Sequence, residues 1–173
     1  WTVKFLFPSL GIICIHIADT GFLINCGGPE INATKGKYSA DSEILGNSSY
    51  FQSADGKWSV SYTSDDTRFS NLLSSATDTQ GTFDSSLYKT ARGSANSLKY
   101  YGLGMVNGVY NVELHFSEIS ITADNTWKSH GRRFFDVYVK VIYLLIFAGL
   151  FKTHVTSFIR ISTAHDTFLN TVT

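Results

Sequence analysis

Tyr110-Asn111-Val112-Glu113-Leu114-His115-Phe116 alternates large apolar with polar side chains. A strand has a side-chain period of two, so Tyr110, Val112, Leu114 and Phe116 form an inner face while Asn111, Glu113 and His115 face out to solvent. The same pattern recurs on either side. Trp58, Val60 and Tyr62 alternate with Lys57, Ser59 and Ser61, and Phe135, Val137 and Val139 alternate with Asp136, Tyr138 and Lys140. Leu98 and Tyr100 mark a fourth strand and Phe22 to Cys26 a fifth. Turn residues punctuate them. Asn107-Gly108 predicts a tight hairpin joining Tyr100–Leu103 to Val109–Phe116, because both residues tolerate positive φ. Gly27-Gly28-Pro29 ends one strand, and Asp55-Gly56 precedes another. Residues 64–86, rich in Ser, Thr and Asp, read as a long loop or a short surface helix. Several short strands bounded by turns predict an all-β sandwich.

The composition agrees. The chain has 173 residues, room for one ordinary domain, and 43% of them are hydrophobic, too many for a disordered segment. Fourteen basic residues balance fourteen acidic ones, which argues against a broad basic face for nucleic acid. Charged residues are 16%, and Ser, Thr, Gly and aromatics take their place, a mix that favours pleated surfaces over helices. No sustained heptad of apolar positions is present, so a long coiled coil is excluded.

The ends differ from the middle. Phe5 to Ile17 is apolar and follows Lys4, like the core of a signal peptide, but Pro8 interrupts it and His16 stands where a small residue is expected before a cut after Ala18, so a buried or poorly folded leader is the equal alternative. The chain opens on Trp1, so a fragment is expected. Val141 to Phe151 is shorter than the roughly 20 apolar residues that cross a bilayer as a helix, and it predicts a buried strand pair or a short core helix. Cys14 and Cys26 can form at most one internal disulfide, which their spacing does not decide. Asn32-Ala33-Thr34 and Asn47-Ser48-Ser49 are N-glycosylation sequons if the chain is exported.

Local chemistry for catalysis is thin. Glu113 and Glu118 fall on opposite faces of a continuous strand, so no neighbouring carboxylate pair flanks a bond. Gly102, Gly104 and Gly108 are spaced GxGxxxG with no helix pattern after them, which is punctuation and not a nucleotide loop. No zinc spacing and no kinase motif occurs, so neither cofactor nor metal is expected and the chain is not expected to be an enzyme. The tyrosines carry more. Tyr38, Tyr50, Phe51, Tyr88, Tyr100 and Tyr101 are expected in or beside loops. Their apolar faces and hydroxyls match the C–H patches and hydroxyl edges of a pyranose. A neutral chain with many loop tyrosines favours a carbohydrate or peptide binder.

Six ordered segments then become specific: Leu23-Ile24-Asn25-Cys26-Gly27-Gly28-Pro29-Glu30, Tyr38-Ser39-Ala40-Asp41, Leu87-Tyr88-Lys89-Thr90-Ala91-Arg92, Ser97 to Leu103, Asn107 to Ile119, and Gly131 to Val139. Together they resemble the malectin domain found in the ectodomains of plant leucine-rich-repeat receptor-like serine/threonine kinases, over residues 22–140. The resemblance implies a jelly-roll-like β-sandwich that binds an oligosaccharide or cell-wall glycan on the outer side of the plasma membrane. A peptide or co-receptor ectodomain is the alternative partner, with the domain then acting as an interaction scaffold. It implies that Tyr38 and Tyr88 face the sugar; Tyr100 and Tyr101 join them as candidates among the loop tyrosines. The family's aromatic pair after the Phe-Ala-Glu segment is Ser120-Ile121 here, and its late acidic residue would fall beyond Lys140, where this chain departs from the pattern. Residues 1–21 thus read as an unmatched apolar leader, 22–140 as the malectin-like domain, and 141–173 as an unmatched tail. The sandwich would lack its closing strands unless the tail supplies replacements, for which Val155–Ile161 has the right propensity.

Overall fold

The computed structural model describes residues 2–6, 10–17, 21–63, 72–75, 84–106, 110–117, 119, 136–139, 142–144, 157–163 and 168–169. It is a β-sandwich of two sheets. The strands are β1 (Thr2–Leu6), β2 (Leu10–Ile17), β3 (Leu23–Cys26), β4 (Ile31–Ala33), β5 (Gly36–Asp41), β6 (Ser49–Gln52), β7 (Trp58–Thr63), β8 (Leu72–Ser74), β9 (Thr90–Ser94), β10 (Ser97–Gly102), β11 (Tyr110–Phe116), β12 (Asp136–Val139), β13 (Ile142–Leu144), β14 (Ser157–Thr163) and β15 (Phe168–Leu169). A short 3-10 helix, Ser85–Lys89, precedes β9. The six-stranded sheet runs β13-β12-β1-β10-β7-β6; the nine-stranded sheet runs β15-β14-β11-β2-β3-β5-β4, with β9 and then β8 attached beside β2.

The alternating residues do what their period dictates. Trp58, Val60, Tyr62, Leu98, Tyr100, Val137 and Val139 of the first sheet meet Ile15, Ile24, Cys26, Tyr110, Val112, Leu114 and Phe116 of the second in one core. Trp58 anchors it, with Phe51 and Tyr100 rings at 6.0 and 6.2 Å between centroids. Turn chemistry follows the sequence at two places. Gly27 adopts φ 73°, and Gly56 adopts φ 67° in the β6–β7 hairpin, where its amide donates to the Ser53 carbonyl at 2.9 Å. At Gly27 a side chain is doubly excluded, because a Cβ there would also collide with the Ala91 carbonyl carbon and oxygen.

The structure refines several of these expectations. Asn107-Gly108 itself lies outside the described residues, but the strands it separates do not pair: β10 lies in the six-stranded sheet and β11 in the nine-stranded one. The connection is therefore a crossover between layers. The apolar leader is drawn into the fold. β1 sits between β10 and β12, and β2 between β11 and β3, both antiparallel. The tail likewise contributes β14, in register with all of β11 from Tyr110↔Thr163 to Phe116↔Ser157. The tyrosines expected in or beside loops lie mostly within strands: Tyr38 in β5, Tyr50 in β6, Tyr100 and Tyr101 in β10, with Tyr88 in the 3-10 helix. Within residues 64–86 a strand, β8, pairs with β9 and the 3-10 helix begins; residues 64–71 and 76–83 lie outside the described residues. Cys26 is buried, and Cys14 stands opposite Asn25 in the β2–β3 register, its side chain outside the described set. Ile142–Leu144, within the second apolar run, forms β13 against β12. Among the described residues no helix is long and apolar enough to cross a membrane.

Candidate functional site

The outer face of the nine-stranded sheet carries a second, smaller cluster. Tyr38 projects there from β5, opposite Ile31 of β4. Leu87 and Tyr88, on the 3-10 helix, and Ala91 of β9 close over it, with Leu23, Ala33, Leu73 and Ile119 around the rim. Tyr38 and Tyr88, fifty residues apart in the chain, are therefore brought together. Both rings are covered: Tyr38 is 1% exposed and Tyr88 7%.

A polar line borders this aromatic pair. The Tyr88 hydroxyl and His115 Nδ1 share a hydrogen bond of 2.7 Å, and the two rings meet edge to face with centroids 6.0 Å apart. Glu113, two residues earlier on the same face of β11, places Oε2 3.8 Å from His115 Nε2 and pairs with Lys35 Nζ. Lys35 sits in the β4–β5 turn. Its neighbour Thr34 donates through both its amide and its hydroxyl to Asp84 Oδ1, each at 2.9 Å. Asp84 in turn begins the 3-10 helix that carries Tyr88, with its backbone carbonyl accepting from the Leu87 amide at 3.0 Å. The β4–β5 turn and the 3-10 helix thus form one strap across the tyrosines.

The face of Glu113 and His115, expected to be solvated, is covered by this strap. Glu113 is buried because Lys35 supplies the opposite charge that lets a carboxylate leave water. The period-two reading placed both residues correctly on the face opposite the core; only their partners, remote in sequence, were invisible. Among the described residues no group of three His, Cys, Asp or Glu side chains gathers as a metal set.

The other candidates go elsewhere. Tyr100 turns into the main core at 2% exposure and donates its hydroxyl to Asp41 Oδ2 at 2.6 Å. Arg92 Nε and Nη2 hold the same carboxylate at 2.7 and 2.8 Å, and the Gly27 amide donates to it at 3.3 Å. This fully buried ion pair ties β5, β9, β10 and the Gly27 turn together. Asp41 and Arg92 both stand inside the family-like segments, yet neither spacing nor pattern signals that they meet. Tyr101, next to Tyr100, takes the opposite face of β10, outside the six-stranded sheet, and is half-buried. Asn32 and Asn47 are both exposed, Asn32 on β4 and Asn47 in the turn before β6. Ser120-Ile121 lies outside the described residues.

The family model for the malectin domain matches residues 20–145. Two probable LRR receptor-like serine/threonine-protein kinases of Arabidopsis thaliana are 44% and 43% identical to this chain, each over 125 residues that make up 69% of the chain and 12% of the relative. A third of the same description is 39% identical over 143 residues, 75% of the chain and 13% of that protein. The chain spans about an eighth of the length of these curated relatives, and the kinase part of those relatives lies outside the matched region. No solved structure matches. The chain belongs to the malectin domain family.

Proposed function

We propose that this chain is a non-catalytic, carbohydrate-binding ectodomain module of a receptor-like kinase, exposed on the outer side of the plasma membrane, with Tyr38 and Tyr88 as its sugar-facing aromatics. The observation that carries this reading is the meeting of those two rings in one cluster, edged by His115 and Glu113, which supply hydrogen-bonding groups beside apolar faces. Because both rings are covered, stacking on a sugar requires the Thr34–Lys35 turn to lift, breaking its bonds to Asp84 and Glu113. Asn32 and Asn47, both exposed, are the proposed glycan acceptors of the exported chain.

Calorimetric titration of the chain with glucose disaccharides and cello-oligosaccharides tests the reading. Binding that is lost in Tyr88→Ala and weakened in Tyr88→Phe, which keeps the ring but not the bond to His115, is the expected result. Unchanged affinity in both variants overturns the site. The burial of Tyr38 favours a second reading, in which the cluster is structural and the module serves as a protein-interaction scaffold. Absence of any glycan signal together with capture of a co-receptor ectodomain selects it.

A further inference from the structure

One end of the sandwich holds a small cavity away from the tyrosine cluster. β3, β7 and β11 begin around it and β10 ends there, and its walls come from Phe22, Lys57, Leu103, Met105, Val106 and Tyr110. Its volume is about 340 Å³, at the small end of the roughly 300–1,000 Å³ of ligand pockets. Tyr110 opens β11, and His115 lies five residues further along the strand. At the rise of an extended chain this sets the cavity roughly 17 Å from the Tyr88–His115 bond.

The chain that leaves β10 is held as a rim. The Leu103 amide donates to the Lys57 carbonyl at 2.8 Å, and the Tyr110 hydroxyl donates to the Val106 carbonyl at 2.7 Å. These two bonds stake residues 103–106 at both ends, so the rim is formed before any ligand arrives. Between the stakes, space is open at Gly104, where an added Cβ would meet no atom within 4 Å. Gly102 shapes the floor: with no Cβ of its own, it lets the Met105 sulfur and the Phe22 ring settle against its backbone. Val106, at 71% exposure, stands at the mouth as an apolar side chain in water.

The chemistry of the lining is one-sided. Among the described residues Lys57 is the only charged member of the lining, and it is exposed. Asp55, two residues away, directs its Oδ1 at the Ser53 hydroxyl, 2.6 Å, and at the Lys57 amide, 3.1 Å. The other walls are aliphatic, aromatic or thioether, and a thioether sulfur makes favourable contacts at a ring edge. A flat apolar body with one negative charge complements that arrangement. We propose that this cavity binds an aromatic monocarboxylate of one-ring size. Its ring packs against Leu103, Met105 and Val106, and its carboxylate pairs with Lys57 Nζ.

The test is calorimetric titration of the whole chain with trans-cinnamate, at low and high salt, beside its neutral amide, cinnamamide, and the aliphatic acid hexanoate. Cinnamate is expected to bind, and to bind less tightly as salt rises. Replacing it by cinnamamide, or Lys57 by Gln in Lys57→Gln, is expected to weaken binding roughly tenfold, as loss of one charge-assisted contact does. Val106→Asp, which sets a like charge at the mouth, is expected to remove it. Lys37→Gln, an exposed lysine of β5 on the other sheet, is expected to leave it unchanged. Thermal melts of the variants check that they remain folded, and the exposure of Lys57 and Val106 makes their replacement safe for the core. No binding of cinnamate, equal binding of cinnamamide, tighter binding of hexanoate, or full affinity in both Lys57→Gln and Val106→Asp overturns the proposal. Loss of glucan binding in Tyr88→Ala with cinnamate affinity kept shows that the two sites are separate, as expected.

Discussion

Arg92 lays two nitrogens on the Asp41 carboxylate, and a third donor arrives from Tyr100, all shielded from water. Burial pushes the Asp41 carboxyl up, against the pull of Arg92, Tyr100 and the Gly27 amide. A buried pair like this adds little net stability, but removing one member strands the other charge in an apolar interior. Asp41→Ala is therefore expected to lower stability by about 3–5 kcal/mol, measured by urea unfolding; a loss under about 1 kcal/mol, the scale of an exposed pair, would mean that the pair is open to solvent. Tyr100 adds a pH dependence. Burial, with the neighbouring Asp41 charge second, holds its phenol well above the usual range. In the unfolded chain a tyrosine loses its proton near pH 10, whereas folded Tyr100 keeps it. Its contribution is thus whole below about pH 10 and is lost as pH rises through the folded value. An absorbance titration is expected to show phenolate from Tyr100 only as the protein unfolds in base. Tyr100→Phe is expected to flatten the fall of stability with pH above about pH 10, and an unchanged slope would contradict this account.

β2 shows best how far single strands could be read. Its sequence, Leu10-Gly11-Ile12-Ile13-Cys14-Ile15-His16-Ile17, has no clean alternation and resembles an export signal. A continuous apolar run cannot be assigned to a strand, a buried helix or a signal core by period alone. β11, with one face turned to the core and one to a polar strap, alternates and was legible residue by residue. Lys35 and Glu113 were not, because a turn lysine and a strand glutamate carry no mark of their meeting. The same holds for Asp41 and Arg92. Local pattern gives face and period, while pairing across the chain depends on topology, and the layer change between β10 and β11 is where that topology departs from the nearest-neighbour reading. Ile15, fully buried at the centre of β2, provides the check. Ile15→Ala is expected to cost about 2–5 kcal/mol, as for other large core residues, read from the shift in the urea midpoint. A neutral result would put these residues outside the fold.

At the scale of the whole molecule, the sandwich class followed from strand count and turn spacing, and the paired layers share one core as that class requires. The two sheets end, in part, at β4 and β6, and the two sequons stand on or beside those strands, Asn32 within β4 and Asn47 just before β6. Open strand edges invite pairing with other chains, and bulky groups there discourage it. The placement of β1 has a consequence for how the protein comes into being. Its two neighbours pair Phe5 with Leu98 and with Val137, residues near the middle and toward the end of the chain. β1 therefore finds its first partner only once Ser97–Gly102 has been made, and its second only with Asp136–Val139. Pairing over such separations implies slow closure, dominated by distant contacts, and a nascent chain that depends on chaperones to keep β1 from sticking elsewhere.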